Sequence, residues 1–200
     1  MTADEPELQA LQHERGRRLF FALWPDEGMR VAMVRATRKA VQSSGGRPVA
    51  AANLHVTLAF LGSVPERRLG QLGEIARASA ASSPDLELAF DRLEYWRAAR
   101  LLCALPAERP APMGALARSL QEGLVACEFA PDLKPFRPHV TVVRKVSRLG
   151  RGEPLDSVVW SFTALALIES RTLPEGALYS VIESYPLCSA KKCANNSETT

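Results

Sequence analysis

The sequence predicts an α+β protein with two lobes, built from two mainly antiparallel sheets that are flanked by helices and meet at a central cleft. The first observation is that the pattern His-x-Thr occurs twice, at 55–57 and 139–141, each time in an apolar run typical of a strand. The second is that each copy follows a helical pattern and a loop containing Gly or Pro. A repeated unit of this kind indicates duplicated halves, so we expect a pseudo-twofold axis at the cleft.

The first half of the chain contains a strand, a helix and the first His-x-Thr strand. Residues 17–24 are apolar and rich in aromatics up to Pro25, which predicts a strand. Asp26 is expected to cap a helix at 27–42, whose apolar residues recur at helical spacing until the Ser-Ser-Gly-Gly stop. The first His-x-Thr strand, 55–62, is expected to end at Gly62.

The second half repeats this alternation with more strands. Apolar periodicity predicts helices at 66–81 and 113–126, and a Pro-rich loop at 130–138 leads into the second His-x-Thr strand. The other expected strands are 86–90, with an extension to 96 after a turn, 100–105, 160–169 and 177–185, the last two joined as a hairpin at Pro174-Glu175-Gly176.

Side chains alternate between the two faces of a strand, so each histidine should share a face with its threonine. Strict alternation also predicts that Phe60 lies on the opposite, apolar face and that Arg144 lies opposite its histidine. The predicted cleft faces contain His55, Thr57 and Ala59 in the first strand and His139, Thr141 and Val143 in the second.

Composition limits the classes of protein that the chain can belong to. The net charge is +3, from 25 basic and 22 acidic residues, which argues against a surface that coats nucleic acid but permits a local basic groove. No apolar run is long enough to span a membrane, and the polar N-terminus does not resemble a signal peptide, so we expect a cytoplasmic protein. We expect a flexible leader at 1–16, one bilobal domain at 17–188 and a disordered tail at 189–200.

The four cysteines lack the spacing of a zinc site and have no histidine near them in the sequence. In a reducing compartment they are expected to be free thiols, with a Cys188–Cys193 pair as the alternative. We therefore expect neither a metal nor another cofactor.

Two imidazoles and two hydroxyls in one cleft are suited to acid–base chemistry at phosphorus. One neutral histidine can take a proton from attacking water while a protonated histidine donates to the leaving oxygen on the opposite side. The threonine hydroxyls can donate hydrogen bonds to the non-bridging oxygens. The residues alone do not decide which histidine is the acid. Neither a carboxylate pair nor a serine nucleophile motif accompanies the repeat.

The segments 18–25, 53–62 and 136–144 resemble the two-histidine phosphoesterases, and within them the bacterial RNA 2′,3′-cyclic phosphodiesterases once called 2′-5′ RNA ligases. The resemblance covers about Arg18 to Leu187. It implies the bilobal fold and metal-independent hydrolysis of a 2′,3′-cyclic phosphate to a 2′-phosphate. It further implies that His55 is the proton donor and His139 the proton acceptor, and that Arg144 contacts the phosphate beside the two threonines.

The resemblance also suggests partners and further contacts. The implied substrate is an RNA 3′ end that carries a 2′,3′-cyclic phosphate, with tRNA-derived ends as one source, and the protein is expected to act as a monomer. Phe21 is a candidate for base stacking, with a core position as the alternative, and Arg137 for contact with the RNA backbone, with a solvated charge as the alternative. Two other functions stay open: a phosphodiesterase acting on 2′-5′ linkages or small cyclic nucleotides, and a module that binds RNA ends without turnover.

Overall fold

The computed structural model describes residues 16–108, 110–131, 135–148, 155–174 and 176–188. These residues form two antiparallel sheets with helices packed against them, which confirms the α+β class. The expected leader and tail lie outside the described residues, apart from Gly16.

The first sheet has four strands in the order β3-β1-β8-β9. Its two inner strands are β1 and β8, and the first His-x-Thr strand, β3, lies at one edge and pairs antiparallel with β1. The strands are β1 (Arg17–Leu23), β3 (Val56–Val64), β8 (Ala164–Leu173) and β9 (Gly176–Pro186). The pairing of β8 with β9 confirms the predicted hairpin, although Glu175 of its turn is outside the described residues.

The second sheet has five strands in the order β2-β6-β5-β4-β7, and the second His-x-Thr strand, β6, lies next to the short edge strand β2. The strands are β2 (Arg47–Pro48), β4 (Leu86–Trp96), β5 (Leu101–Pro106), β6 (Val140–Arg144) and β7 (Val158–Phe162). Each histidine thus comes directly before a strand of a different sheet.

In the described part of the chain, three α-helices cover the sheets: α1 (Glu27–Ser43), α2 (Leu69–Ala81) and α3 (Ala111–Ala126). Asp26 caps α1 as predicted, because its carboxylate accepts a hydrogen bond from the backbone N–H of Met29 at 2.8 Å. Helix α1 packs against β6 and β7, whereas α2 packs against β8 and β9. A shared core lies between helices and sheets, and Phe21, Phe90 and Trp160 are among its fully buried side chains.

Three predicted strand boundaries are wrong. The single strand expected at 160–169 is two strands, because the chain leaves the second sheet after Phe162 and enters the first sheet at Ala164. Strand β3 continues past Gly62, which adopts φ +69° within it, to Val64. Strand β4 is continuous from Leu86 to Trp96, with a register shift near Asp91 in place of the expected turn.

The expectation for the cysteines is confirmed in part. Cys103 and Cys127 are free thiols, whereas Cys188 is disulfide-bonded, so the expectation of a free thiol is wrong there. Spacing along the chain does not settle this point, because a disulfide depends on the distance between Cβ atoms in the folded protein. Cys193 lies outside the described residues.

Candidate active site

Both histidines line one cleft between the two sheets, with a volume of about 540 Å³. The cleft also contains both motif threonines and two arginines, and none of the described residues that line it is an Asp or a Glu. Its polar lining consists of Arg18, Asn53, His55, Thr57, His139, Thr141, Arg144, Ser170 and Tyr179. The structure therefore brings together His55, His139, Thr57, Thr141 and Arg144 in a cleft whose charged side chains are cationic.

The two imidazoles are held in the same way. Nδ1 of His55 donates to the carbonyl oxygen of Asn53 at 2.7 Å, and Nδ1 of His139 donates to that of Arg137 at 2.8 Å. A carbonyl oxygen can only accept, so Nδ1 carries the hydrogen in both neutral rings and Nε2 is left without one. Nε2 of His55 then accepts from the hydroxyl of Thr57 at 3.0 Å. Nε2 of His139 has no hydrogen-bond partner within the described residues.

Both motif strands contain an irregularity directly after the threonine. In β3, Thr57 pairs with Ala22 but Ala59 pairs with Phe21, so Leu58 is an extra residue. In β6, Thr141 pairs with Cys103 but Val143 pairs with Leu102, so Val142 is the extra residue. Such a bulge shifts the alternation of the following side chains by one position. The repeat thus extends from a His-x-Thr pattern to a shared backbone irregularity.

The bulges change which residues face the cleft. Ala59 packs against the core and Val143 is fully buried in it, so their predicted place beside the histidines is wrong. Phe60 and Arg144 line the cleft instead, so the predicted opposite-face positions of both are also wrong. Because one residue is inserted in each strand, the residue three positions after each threonine shares its face.

Aromatic rings surround His55. The ring centroids of Phe20, Trp24 and Tyr179 lie 4.9, 5.6 and 5.3 Å from that of His55, and the Trp24 ring is stacked on it with an interplanar angle of 23°. Burial among these rings lowers the pKa of His55 from 6.5 to about 4, the hydrogen bond to Asn53 opposes this shift, and the positive charge of Arg144 adds to it. His55 is therefore neutral in the free protein at neutral pH.

His139 lies against Trp96, with the ring centroids 4.4 Å apart. Glu94 holds this neighbourhood in place, because its carboxylate accepts from Nε1 of Trp96 at 2.8 Å and from Nη2 of Arg137 at 3.1 Å. Burial and the nearby Arg137 guanidinium lower the pKa of His139, while the hydrogen bond to the Arg137 carbonyl opposes them. The two histidines thus have different surroundings.

The candidates for contact with RNA fall in different places. Phe21 has no exposed surface and belongs to the main core, so the base-stacking prediction is wrong and the core alternative applies. Its neighbour Phe20 faces the cleft, because successive side chains of β1 point to opposite sides of the sheet. Arg137 is half-exposed beside His139 and is paired with Glu94.

Sequence reasoning missed several residues of the site: the rings of Phe20, Trp24, Tyr179 and Trp96, the carboxylate of Glu94, and Arg18. The alternation of Arg18, Phe20, Ala22 and Trp24 indicates that they share one face of a strand. It does not indicate which face meets the second lobe.

A second, more apolar pocket of about 270 Å³ opens beside the cleft. Phe60, Trp96, Thr57 and His139 border both spaces. Phe60 keeps 57% of its surface exposed, which is high for an aromatic residue and makes its ring available to a ligand.

The described ranges contain no group of three or more His, Cys, Asp or Glu side chains arranged to hold a metal ion. They also contain no helix with the length and apolar character needed to span a membrane.

Comparison with known proteins agrees with this geometry. Residues 25–172 match the family model of the 2′-5′ RNA ligase superfamily, which is more than half of the chain. The chain belongs to this superfamily. It is 30% identical to the RNA 2′,3′-cyclic phosphodiesterase of Thermus thermophilus over 85% of this chain and 90% of that protein. It is 30% identical to the Escherichia coli protein of the same name over 66% of this chain and 73% of that protein.

Solved structures of this superfamily share the fold. The apo form of E. coli LigT superposes with a TM-score of 0.78 at 27% identity, over 86% of this chain and 98% of that one. The same protein crystallised with 3′-AMP gives a TM-score of 0.79 with the same coverage. The fold predicted from the repeat is thereby confirmed.

Proposed function

We propose that this protein hydrolyses RNA 2′,3′-cyclic phosphate ends to 2′-phosphates by general acid–base catalysis with two histidines and without a metal. The observation that carries the proposal is that two imidazoles with the same Nδ1 contacts, two threonine hydroxyls and Arg144 line one cleft in which the described residues supply no carboxylate. The relatives named RNA 2′,3′-cyclic phosphodiesterase support the choice of substrate.

In the proposed reaction, water attacks phosphorus on the side opposite O3′. Nε2 of His139 accepts the proton of this water as its oxygen bonds to phosphorus. The P–O3′ bond breaks, and O3′ takes a proton from Nε2 of His55, which leaves a 2′-phosphate. Thr57, Thr141 and Arg144 stabilise the charge on the non-bridging oxygens. Proton exchange with solvent then restores the initial state of both rings.

The surroundings of the two rings support this assignment of roles. Nε2 of His139 has no hydrogen-bond partner within the described residues and is available to a water molecule. His55 must be protonated before it can act as the donor, and an anionic phosphate in the cleft favours the imidazolium, because opposite charges at close range stabilise each other. Substrate binding therefore prepares the acid.

We further propose that the partner is the 3′ end of an RNA, including tRNA-derived ends, and that the protein acts as a cytoplasmic monomer. The RNA backbone also remains the proposed ligand of Arg137. Its guanidinium is half-exposed and lies 5.2 Å from the centroid of the Trp96 ring, which borders both pockets.

The proposal is tested with an oligonucleotide that ends in a 2′,3′-cyclic phosphate, in the presence of EDTA. We expect a 2′-phosphate product, at a rate that EDTA does not change and added Mg²⁺ does not raise. Turnover only after metal addition would contradict the mechanism, and binding without turnover would favour a module that only binds RNA ends. Comparison of kcat/KM with a 2′-5′-linked dinucleotide and with small cyclic nucleotides separates the related activities.

Glu94 is expected to act as a positioning residue for His139. Glu94→Ala removes the acceptor that Trp96 and Arg137 share and leaves the Arg137 charge unbalanced, which lowers the pKa of His139 further. We expect kcat to fall roughly three- to tenfold and the acidic limb of the pH profile to move to lower pH.

Two variants act as controls for this prediction. Glu94→Gln keeps an oxygen for Nε1 of Trp96 and should recover part of kcat but not the pH profile. Glu87→Ala removes an exposed carboxylate from the same strand and should change neither quantity. An unchanged pH profile in Glu94→Ala would show that the carboxylate serves the fold alone.

A further inference from the structure

The cleft extends beyond the catalytic groups along the face of the first sheet. On β1, Ala22 lies opposite Thr57, Phe20 lies opposite Phe60, and Arg18 comes next on the same face. Ala22 and Arg18 are four residue steps apart along the strand, which corresponds to about 13 Å. The cleft face therefore presents hydroxyl and imidazole groups first, then aromatic rings, and then a guanidinium.

Arg18 has no competing partner within the described residues. It is exposed and lines the cleft, and no carboxylate of the described chain lies within ion-pair distance of it. Leu19 of β1 pairs with Glu169 of β8, and the next residue along β8, Ser170, also lines the cleft. Neighbouring Arg17 differs, because its guanidinium makes two hydrogen bonds of 2.9 Å to Glu169.

The row between Arg18 and the threonines is aromatic. Phe20 and Phe60 lie with their ring centroids 5.9 Å apart, and Tyr179 lies 5.2 Å from Phe20. Phe60 is exposed, whereas Phe20 is buried although it lines the cleft. An exposed aromatic ring followed by a cation is a feature with which proteins bind single-stranded nucleic acid, the ring by stacking and the cation by contact with phosphate. The order of groups along the cleft matches a terminal phosphate, its nucleoside and the preceding phosphodiester.

We propose that Arg18, with Ser170, binds the phosphodiester on the 5′ side of the terminal nucleotide, so that the enzyme prefers oligonucleotide ends to mononucleotides. This inference rests on the proposed function and deepens it by naming the substrate class. Arg18 would thus determine substrate specificity by binding a phosphodiester that is not itself hydrolysed. Its guanidinium is suited to this role because it can donate two hydrogen bonds to one phosphate.

The test compares two substrates with the same terminal nucleoside: adenosine 2′,3′-cyclic phosphate and the dinucleotide ApA with a 2′,3′-cyclic phosphate end. Wild-type protein should show the higher kcat/KM with the dinucleotide. Arg18→Ala should lower the ratio of the two kcat/KM values about tenfold, because one charge-assisted contact is lost. Arg18→Lys should keep part of the preference, since the charge remains.

Arg17→Ala is the matched control, because it removes the same charge from the adjacent residue of the same strand, where the side chain is paired with Glu169. It should leave the ratio at the wild-type value.

A second measurement does not depend on turnover: the affinity for ApA with a 2′-phosphate end is determined at several salt concentrations. The slope of log K against log salt should decrease by about one in Arg18→Ala.

The outcomes separate this inference from the function on which it rests. A wild-type protein that hydrolyses both substrates with equal efficiency, or an Arg18→Ala variant that keeps the wild-type ratio and salt slope, would overturn the inference and leave the proposed function intact. Absence of turnover of either substrate by wild-type protein would overturn both. A lower ratio and a smaller salt slope in Arg18→Ala, with Arg17→Ala unchanged, would support it.

Discussion

Replacement of either cleft histidine by alanine is expected to lower kcat for a 2′,3′-cyclic phosphate end by about a thousandfold, because each positioned proton transfer contributes roughly a hundred- to ten-thousandfold. His139→Ala removes the group that accepts the proton of water, and His55→Ala removes the donor to O3′. The measurement is single-turnover hydrolysis of a labelled oligonucleotide.

The two replacements are not expected to be additive. Once one proton transfer is lost, the other ring can no longer complete the in-line displacement, so the double variant should be only slightly slower than either single variant. His13→Ala is a suitable control, because it removes the third histidine of the sequence and should leave kcat unchanged. A loss of less than tenfold in either cleft variant, with the fold retained, would contradict the acid–base assignment.

The second large effect concerns the protonation of His55. In the free protein its ring should titrate with a pKa of about 4, whereas inorganic phosphate in the cleft should raise this pKa towards neutrality. NMR titration of the ring resonances, with and without phosphate, measures both values. A His55 pKa near 6.5 without phosphate, or a pKa that phosphate does not change, would contradict the proposal that substrate binding protonates the acid.

The lowered pKa of His55 makes the stability of the folded protein depend on pH. The pKa of His55 in the folded protein lies below the ordinary value of 6.5, so the unfolded chain binds the proton more readily. Stability from this ring is fully present above about pH 6.5 and decreases as the pH falls towards 4. Phosphate should reduce this loss because it stabilises the protonated ring. Thermal unfolding between pH 7 and pH 5 should therefore depend less on pH when phosphate is present.

Local patterns were sufficient for most of the fold. Asp26 caps α1, and the apolar periodicity of 27–42 identifies the helix, because capping and amphipathicity depend on neighbouring residues. The split at Thr163 is not evident from apolar periodicity: Trp160 and Phe162 are buried in one sheet and Leu165 and Leu167 in the other, but the apolar run 165–168 is buried on both faces and hides the change of phase. Periodicity shows that a side chain is buried but not in which sheet.

The bulges after Thr57 and Thr141 are a second feature that side-chain alternation in the sequence does not reveal. Alternation holds only while each residue of a strand has one partner, and the inserted Leu58 and Val142 are recognisable only from the register with β1 and β5. For this reason Phe60 and Arg144 line the cleft and do not lie on the face that strict alternation predicts, whereas the resemblance to the phosphoesterases implies that Arg144 lies near the phosphate.

The sequence by itself determined the chemical groups of the site, because the His-x-Thr repeat is a local pattern and its duplication implies two facing copies. Tertiary structure alone decided their properties: the rings around His55, the Glu94 carboxylate beside Trp96, and the position of the Arg18 guanidinium in the cleft. These features arise between residues distant along the chain or on different strands. Burial and electrostatic contact depend on distances in space, which strand pairing sets and local sequence does not.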